Sequence, residues 1–202
     1  MSHCTNFDFQ YSSRRCIIQT FENMGLIWRD DTVVYYNSGL EKMLGINGHD
    51  SAPAIVANKD GFNYFMIDKG NHYELSIEKH NMSVEEEEIS KKMANEFKHE
   101  YVKTTVEKFK KKLERKGIDC ILKDTPKGWE ICFGAMYEKS IFVKLNKNKI
   151  EEQVSGVKGK SCSSLTGALE DMLSSSDVDL NTRWTEEYYQ TEDDELKVYN
   201  LE

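Results

Sequence analysis

The residues best suited to chemistry lie together in Gly156-Val157-Lys158-Gly159-Lys160-Ser161-Cys162. Gly-Lys-Ser at the entry to a helix is how a phosphate-binding loop ends, with backbone N–H groups and a lysine holding phosphate oxygens. That motif needs about four residues between its two glycines, and only Val157 and Lys158 separate Gly156 from Gly159. Nucleotide hydrolysis is therefore not expected. A simpler chemistry survives, in which Gly156, Lys158, Gly159, Lys160, Ser161, Cys162 and Thr166 form a partner- or anion-binding loop for a carboxylate or phosphate. The competing account is structural: glycines for a tight turn and close helix packing.

Cys162 falls in the first helical turn beside Lys160, an environment that lowers a thiol pKa and makes the sulfur nucleophilic or metal-binding. The favoured alternative is a buried thiol packed against the preceding hairpin. No histidine is near it in sequence, and nothing singles out His3, His49, His72, His80 or His99 as a partner. His3, next to Cys4, reads as an anchor for the first strand in preference to a metal ligand. The sequence implies no catalytic residue, cofactor or metal site.

Two charged stretches qualify as contact surfaces. Between Lys98 and Lys116 eight basic residues face Glu100, Glu107 and Glu114. They form a stripe for nucleic acid or, more economically, a solvated helix face with Glu–Lys pairs worth ~0.2–0.5 kcal/mol each. From residue 174 onward nine acids stand against Arg183 and Lys197. Within this acidic tail Trp184, Tyr188 and Tyr189 are interface-type aromatics that a merely solubilising tail would not need.

The elements that must position these groups are readable from periodicity. Val84, Ile89, Met93, Phe97, Tyr101, Val106, Phe109 and Leu113 recur at mostly three- and four-residue spacing, which predicts one long helix over 83–116. Ser83 is its N-cap, Glu85 to Glu88 complement its dipole and Gly117 ends it. Such a length, about 50 Å at ~1.5 Å per residue, allows a break or bend near residues 96–100. A short helix capped by Ser12 or Ser13 and ended by Gly25 carries Ile17, Phe21 and Met24. Strands are expected at 2–9, 26–36, 54–57, 62–67, 73–77, 118–122, 129–133, 140–145 and 149–154, with an irregular loop around Gly39, Gly45 and Gly48. A last short helix carries Leu165, Ala168, Leu169 and Met172.

The order predicts an α+β fold: an antiparallel sheet with one short and one long helix on one face, then a small β-β-α module and an acidic tail. The expected division is 1–134, 135–173 and 174–202.

The 202 residues are 39% hydrophobic, enough for a real core. No apolar run approaches the ~20 residues that span a bilayer, and no signal peptide is legible. The five cysteines have no zinc-ribbon or redox spacing, which suits free thiols in a reducing compartment. A net charge of −8 argues against a dedicated nucleic-acid binder.

Met1-Ser2-His3, the run Phe97-Lys98-His99-Glu100-Tyr101 continuing to Leu113, and Gly117-Ile118 together resemble the hypothetical chloroplast reading frame thirty-five family over residues 1–134. That family is a domain of unknown function in plastid genomes and bacteria. Its usual aromatic after Met-Ser-His is Cys4 here. The hairpin followed by Gly156, Gly159, Cys162, Leu165, Thr166, Leu169 and Glu170 resembles a small bacterial family of unknown function often encoded beside the first. The resemblance implies two fused modules, a cytoplasmic or plastid-stroma setting, and a protein partner of the AAA-type ATPase class, sometimes with a ferredoxin nearby. It supplies no catalytic residues. The function expected is that of a non-enzymatic accessory or adaptor. A thiol-dependent enzyme or redox or metal protein using Cys162 is the alternative, and a nucleic-acid accessory a weaker one. Oligomeric state, and whether the two modules share a sheet, stay open at this stage.

Overall fold

A computed structural model describes residues 2–36, 49–79, 82–157, 159–174, 184–187 and 198–201, with backbone alone at 2–8, 33–36, 49–51, 159–160, 171, 174 and both final stretches. The chain is α+β and all its sheets are antiparallel. In chain order the elements are β1 (Ser2–Asp8), α1 (Arg14–Asn23), β2 (Ile27–Tyr36), β3 (His49–Lys59), β4 (Phe62–Asp68), β5 (Tyr73–Glu78) and α2 (Val84–Arg115). There follow β6 (Cys120–Thr125), β7 (Gly128–Phe133), β8 (Lys139–Asn146), β9 (Lys149–Ser155), α3 (Gly159–Ser174), β10 (Trp184–Glu187) and β11 (Val198–Leu201).

The strands divide between a five-stranded sheet of order β1-β9-β8-β7-β6, a four-stranded sheet of order β2-β3-β4-β5, and the pair β10-β11. Two compact units result: Arg14–Glu100, and Met1–Ser13 together with Tyr101–Glu202. Strands on both sides of residue 134 therefore belong to one sheet, since β7 pairs with β8 and β1 pairs with β9.

In the Arg14–Glu100 unit the core gathers Phe21, Tyr64 and Phe97, with Phe21 and Phe97 ring centroids 4.9 Å apart. β3 begins at His49, five residues before the strand expected there. Proline removes a ladder donor, and Pro53 is accommodated because it pairs only with Thr32 of β2, one residue before the β4 pairing starts at Ala54.

Helix α2 is unbroken over its 32 residues, so the break allowed near 96–100 does not occur. The unit boundary nevertheless falls between Glu100 and Tyr101, inside this helix. Its start is a capping box: the Glu86 N–H donates to Ser83 Oγ at 3.3 Å and the Glu86 carboxylate accepts the Ser83 N–H at 2.9 Å. At its end Gly117 takes φ +81° and the Ile118 N–H returns to the Leu113 carbonyl at 3.1 Å, closing a Schellman-type cap.

In the second unit Tyr101, Val102, Val106, Phe109 and Leu113 of α2 are buried, as are Trp129, Ile131, Ile141, Val143, Ile150 and Val154 of the sheet and Leu165, Ala168 and Leu169 of α3. Alternation along β9 puts Ile150, Glu152 and Val154 on the inward side.

Candidate functional site

The turn from β9 into α3 exists for steric reasons. Gly156 adopts φ +77°, and a Cβ there would meet the Glu138 carbonyl oxygen at 2.8 Å. Only glycine fits that approach and that backbone conformation. Val157 next to it is buried.

From this turn the chain winds into α3 and carries its polar residues inward. Ser161, Cys162 and Thr166 are 4, 7 and 7 % exposed. Thr166 Oγ1 donates back to the carbonyls of Ser163 at 2.9 Å and Cys162 at 3.1 Å, the local bond expected of threonine inside a helix. Lys158 lies outside the described residues, and at Gly159 and Lys160 the structure describes the backbone alone. The side chains of Ser161, Cys162 and Thr166 are therefore interior groups, not surface contacts.

Burial pushes the Cys162 thiol above its ordinary range, with the Glu152 carboxyl adding to the effect. This is the opposite of the lowering that a neighbouring lysine would produce. Cys120 behaves alike, pushed up to about 11 by burial and by Glu114. Cys16, Cys120, Cys132 and Cys162 are all buried free thiols. Among the described residues no group of three or more His, Cys, Asp or Glu is placed to hold a metal ion.

The residue that sequence reasoning passed over is Glu152. It is 2 % exposed, the only acidic or basic residue buried to that degree among the described residues. Among the described residues neither carboxyl oxygen has a hydrogen-bond partner, and neither does Ser161 Oγ. Burial, then the charge of Glu170, pushes the Glu152 carboxyl up to about 8. At neutral pH it is mostly a neutral acid. A signal was present in the sequence: Ile150-x-Glu152-x-Val154 puts the glutamate in the inward row of a period-two strand. The registers complete that row, with Thr5 opposite Glu152 on β1, Val143 opposite it on β8 and Trp129 opposite Val143 on β7.

The remaining predicted residues are placed as follows. His3 stands opposite Val154 and Cys4 opposite Gln153 in the β1–β9 ladder, so the segment at His3 is anchored by its backbone. Trp184 opens β10, opposite Leu201, while Tyr188 and Tyr189 lie outside the described residues. Along the basic stripe Lys103 pairs with Asp124 at 3.6 Å and Lys110 with Glu114 at 2.5 Å. Burial lowers the Lys98 pKa. Part of the stripe is thus neutralised within the chain.

One segment has a counterpart among known proteins. Residues 149–189 match the family described as Protein of unknown function (DUF2997). The match takes in β9, the Gly156 turn, α3 and β10, so the buried Glu152, Ser161 and Cys162 all fall inside it. It covers the ground of the second resemblance drawn from sequence, and that of residues 1–134 to the chloroplast reading frame family rests on the quoted motifs alone. Comparison with curated proteins and with solved structures gives no match. No helix among the described residues is long and apolar enough to cross a membrane.

Proposed function

We propose that the protein is a non-catalytic accessory that binds another protein, with an AAA-type ATPase as the partner class implied by the sequence resemblance. The observation that carries this reading is an apolar group on the rim of the five-stranded sheet. β6 is an edge strand, and Ile121 on it, Met136 and Tyr137 are exposed, Met136 to 88 %. The Tyr137 hydroxyl donates to Asp119 Oδ2 at 3.1 Å, which holds the Met136–Tyr137 turn beside the start of β6. Exposed apolar side chains next to an unpaired strand edge are what a partner chain can cover, by strand addition with side-chain anchors. The inward, upward-shifted Cys162 thiol favours this reading over a thiol enzyme.

The test is a photo-crosslinking amino acid placed at Met136 of the full chain in its host, with exposed Glu88 as the control position. The expected result is one predominant cross-linked protein from Met136, an AAA-type ATPase, and none from Glu88. Equal labelling at both positions overturns the surface. A predominant partner without an ATPase motor overturns the partner class.

A further inference from the structure

The seam between α3 and the five-stranded sheet holds polar groups that the fold leaves unmatched, Glu152 on the sheet and Ser161 on the helix. Cys162, Thr166 and Glu170 are spaced by four residues and therefore share one side of α3. Cys162 and Glu170 both lie close enough to Glu152 to interact with it electrostatically. Among the described side chains of α3 these two act on it, while β8 and β1 bring Val143 and Thr5 opposite it. Among the described residues the groups that act on Glu152 include no cation. A carboxyl kept from water without a partner is penalised for as long as it stays covered.

The cover itself is held at its ends and packs against β1, β9 and β11. The turn at Gly156 precedes it, and its last carbonyls are capped from the N-terminal segment: Gln10 N–H donates to Leu173 O at 3.0 Å and Ser12 Oγ to Met172 O at 3.1 Å. Between the ends Leu165, Ala168 and Leu169 are buried.

We propose that α3 is a releasable cover, leaving the sheet as a unit, and that the water Glu152 regains on release sets how often it does so. This inference is independent of the partner reading above. An uncovered glutamate ionises near 4.5 and the covered one near 8. Between those values the released form loses a proton that the closed form keeps, so its population rises by up to about tenfold per pH unit and levels off above the upper value.

Cys162 is a built-in reporter of release, and Cys132 on β7 is the control. The experiment is an iodoacetamide pulse on the full chain from pH 6 to 9, read by peptide mass spectrometry. Each cysteine's rate is divided by its rate in the urea-unfolded chain at the same pH, which removes thiol ionisation. The normalised Cys162 rate is expected to rise about tenfold per pH unit up to about pH 8 and then level off, to exceed the normalised Cys132 rate, which reads global unfolding, at every pH, and to lose its rise in Glu152→Gln. Equal normalised rates at Cys162 and Cys132, which would mean that α3 leaves only in global unfolding, or a rise that persists in Glu152→Gln, overturns the proposal. Should Glu152→Gln fail to fold, Glu170→Gln serves in its place. It is expected to move the levelling to lower pH, and an unmoved levelling overturns the seam as described.

Discussion

The backbone N–H of Ser12 donates to the Tyr101 hydroxyl at 3.0 Å, and the N–H of Ser13 shares the same acceptor. Tyr11 and Phe9 pack edge-on against the Tyr101 ring, with centroids 5.1 and 5.8 Å from it. One side chain on α2 therefore satisfies two main-chain donors of the segment that leaves β1. Tyr101→Phe keeps the ring and removes the acceptor. Unsatisfied buried donors cost about 1–3 kcal/mol, so the variant is expected to lose stability of that order in urea denaturation, with the m-value unchanged.

Ser12 was expected as a candidate cap for α1, but its hydroxyl caps the far end of α3 through Met172 O. Ser12→Ala is expected to cost about 1 kcal/mol and to speed hydrogen exchange in the last turn of α3, leaving α1 unchanged. Faster exchange in α1 instead would assign the hydroxyl to the wrong helix.

Global stability should decline on the alkaline side of pH 5. The covered Glu152 holds its proton up to about 8 and the unfolded chain releases it near 4.5. This group thus keeps the native state more protonated between those values, and its own contribution to stability is greatest below the lower one. It falls by up to ~1.4 kcal/mol per pH unit from this group as pH rises through the interval. Denaturant midpoints at pH 5, 6, 7 and 8 check this, and Glu152→Gln should remove most of the slope.

Gly156→Ala joins two penalties, a left-handed backbone and a Cβ 2.8 Å from a main-chain oxygen. A loss of more than ~1 kcal/mol is expected, seen as a lower Tm. Gly167, where a Cβ would meet nothing within 4 Å, is the contrast. Gly167→Ala, inside α3, should raise the Tm slightly, because alanine is the better helix former.

Local signals in the sequence were reliable where local physics decides. Ser83, Glu86 and Gly117 mark both ends of α2 because caps depend on residues within one turn. Sheet membership was not legible. The sequence leaves open whether the two modules share a sheet, and the structure joins β1 with β6 to β9 while β2 to β5 form a sheet of their own, because β1 finds β9 about 140 residues along the chain and no periodicity records that pairing. In the loop, the structural account of Gly156 holds, since the Glu138 carbonyl dictates a glycine there. The inward placement of the Ser161, Cys162 and Thr166 side chains depends on which side of α3 meets the sheet, which the loop motif does not record. Glu152 escaped because Glu151 and Glu152 read as a solvated pair unless the strand alternation is given more weight than charge.

The β1–β9 ladder also constrains the order of events during synthesis. Residues 14–100 hold all four strands of their own sheet and can collapse as soon as they emerge from the ribosome. The first eight residues emerge earlier still, yet must wait unpaired until residues 149–155 are made. Completion of the larger sheet therefore waits for β9, and a chain truncated before β9 leaves residues 2–8 without their partner strand.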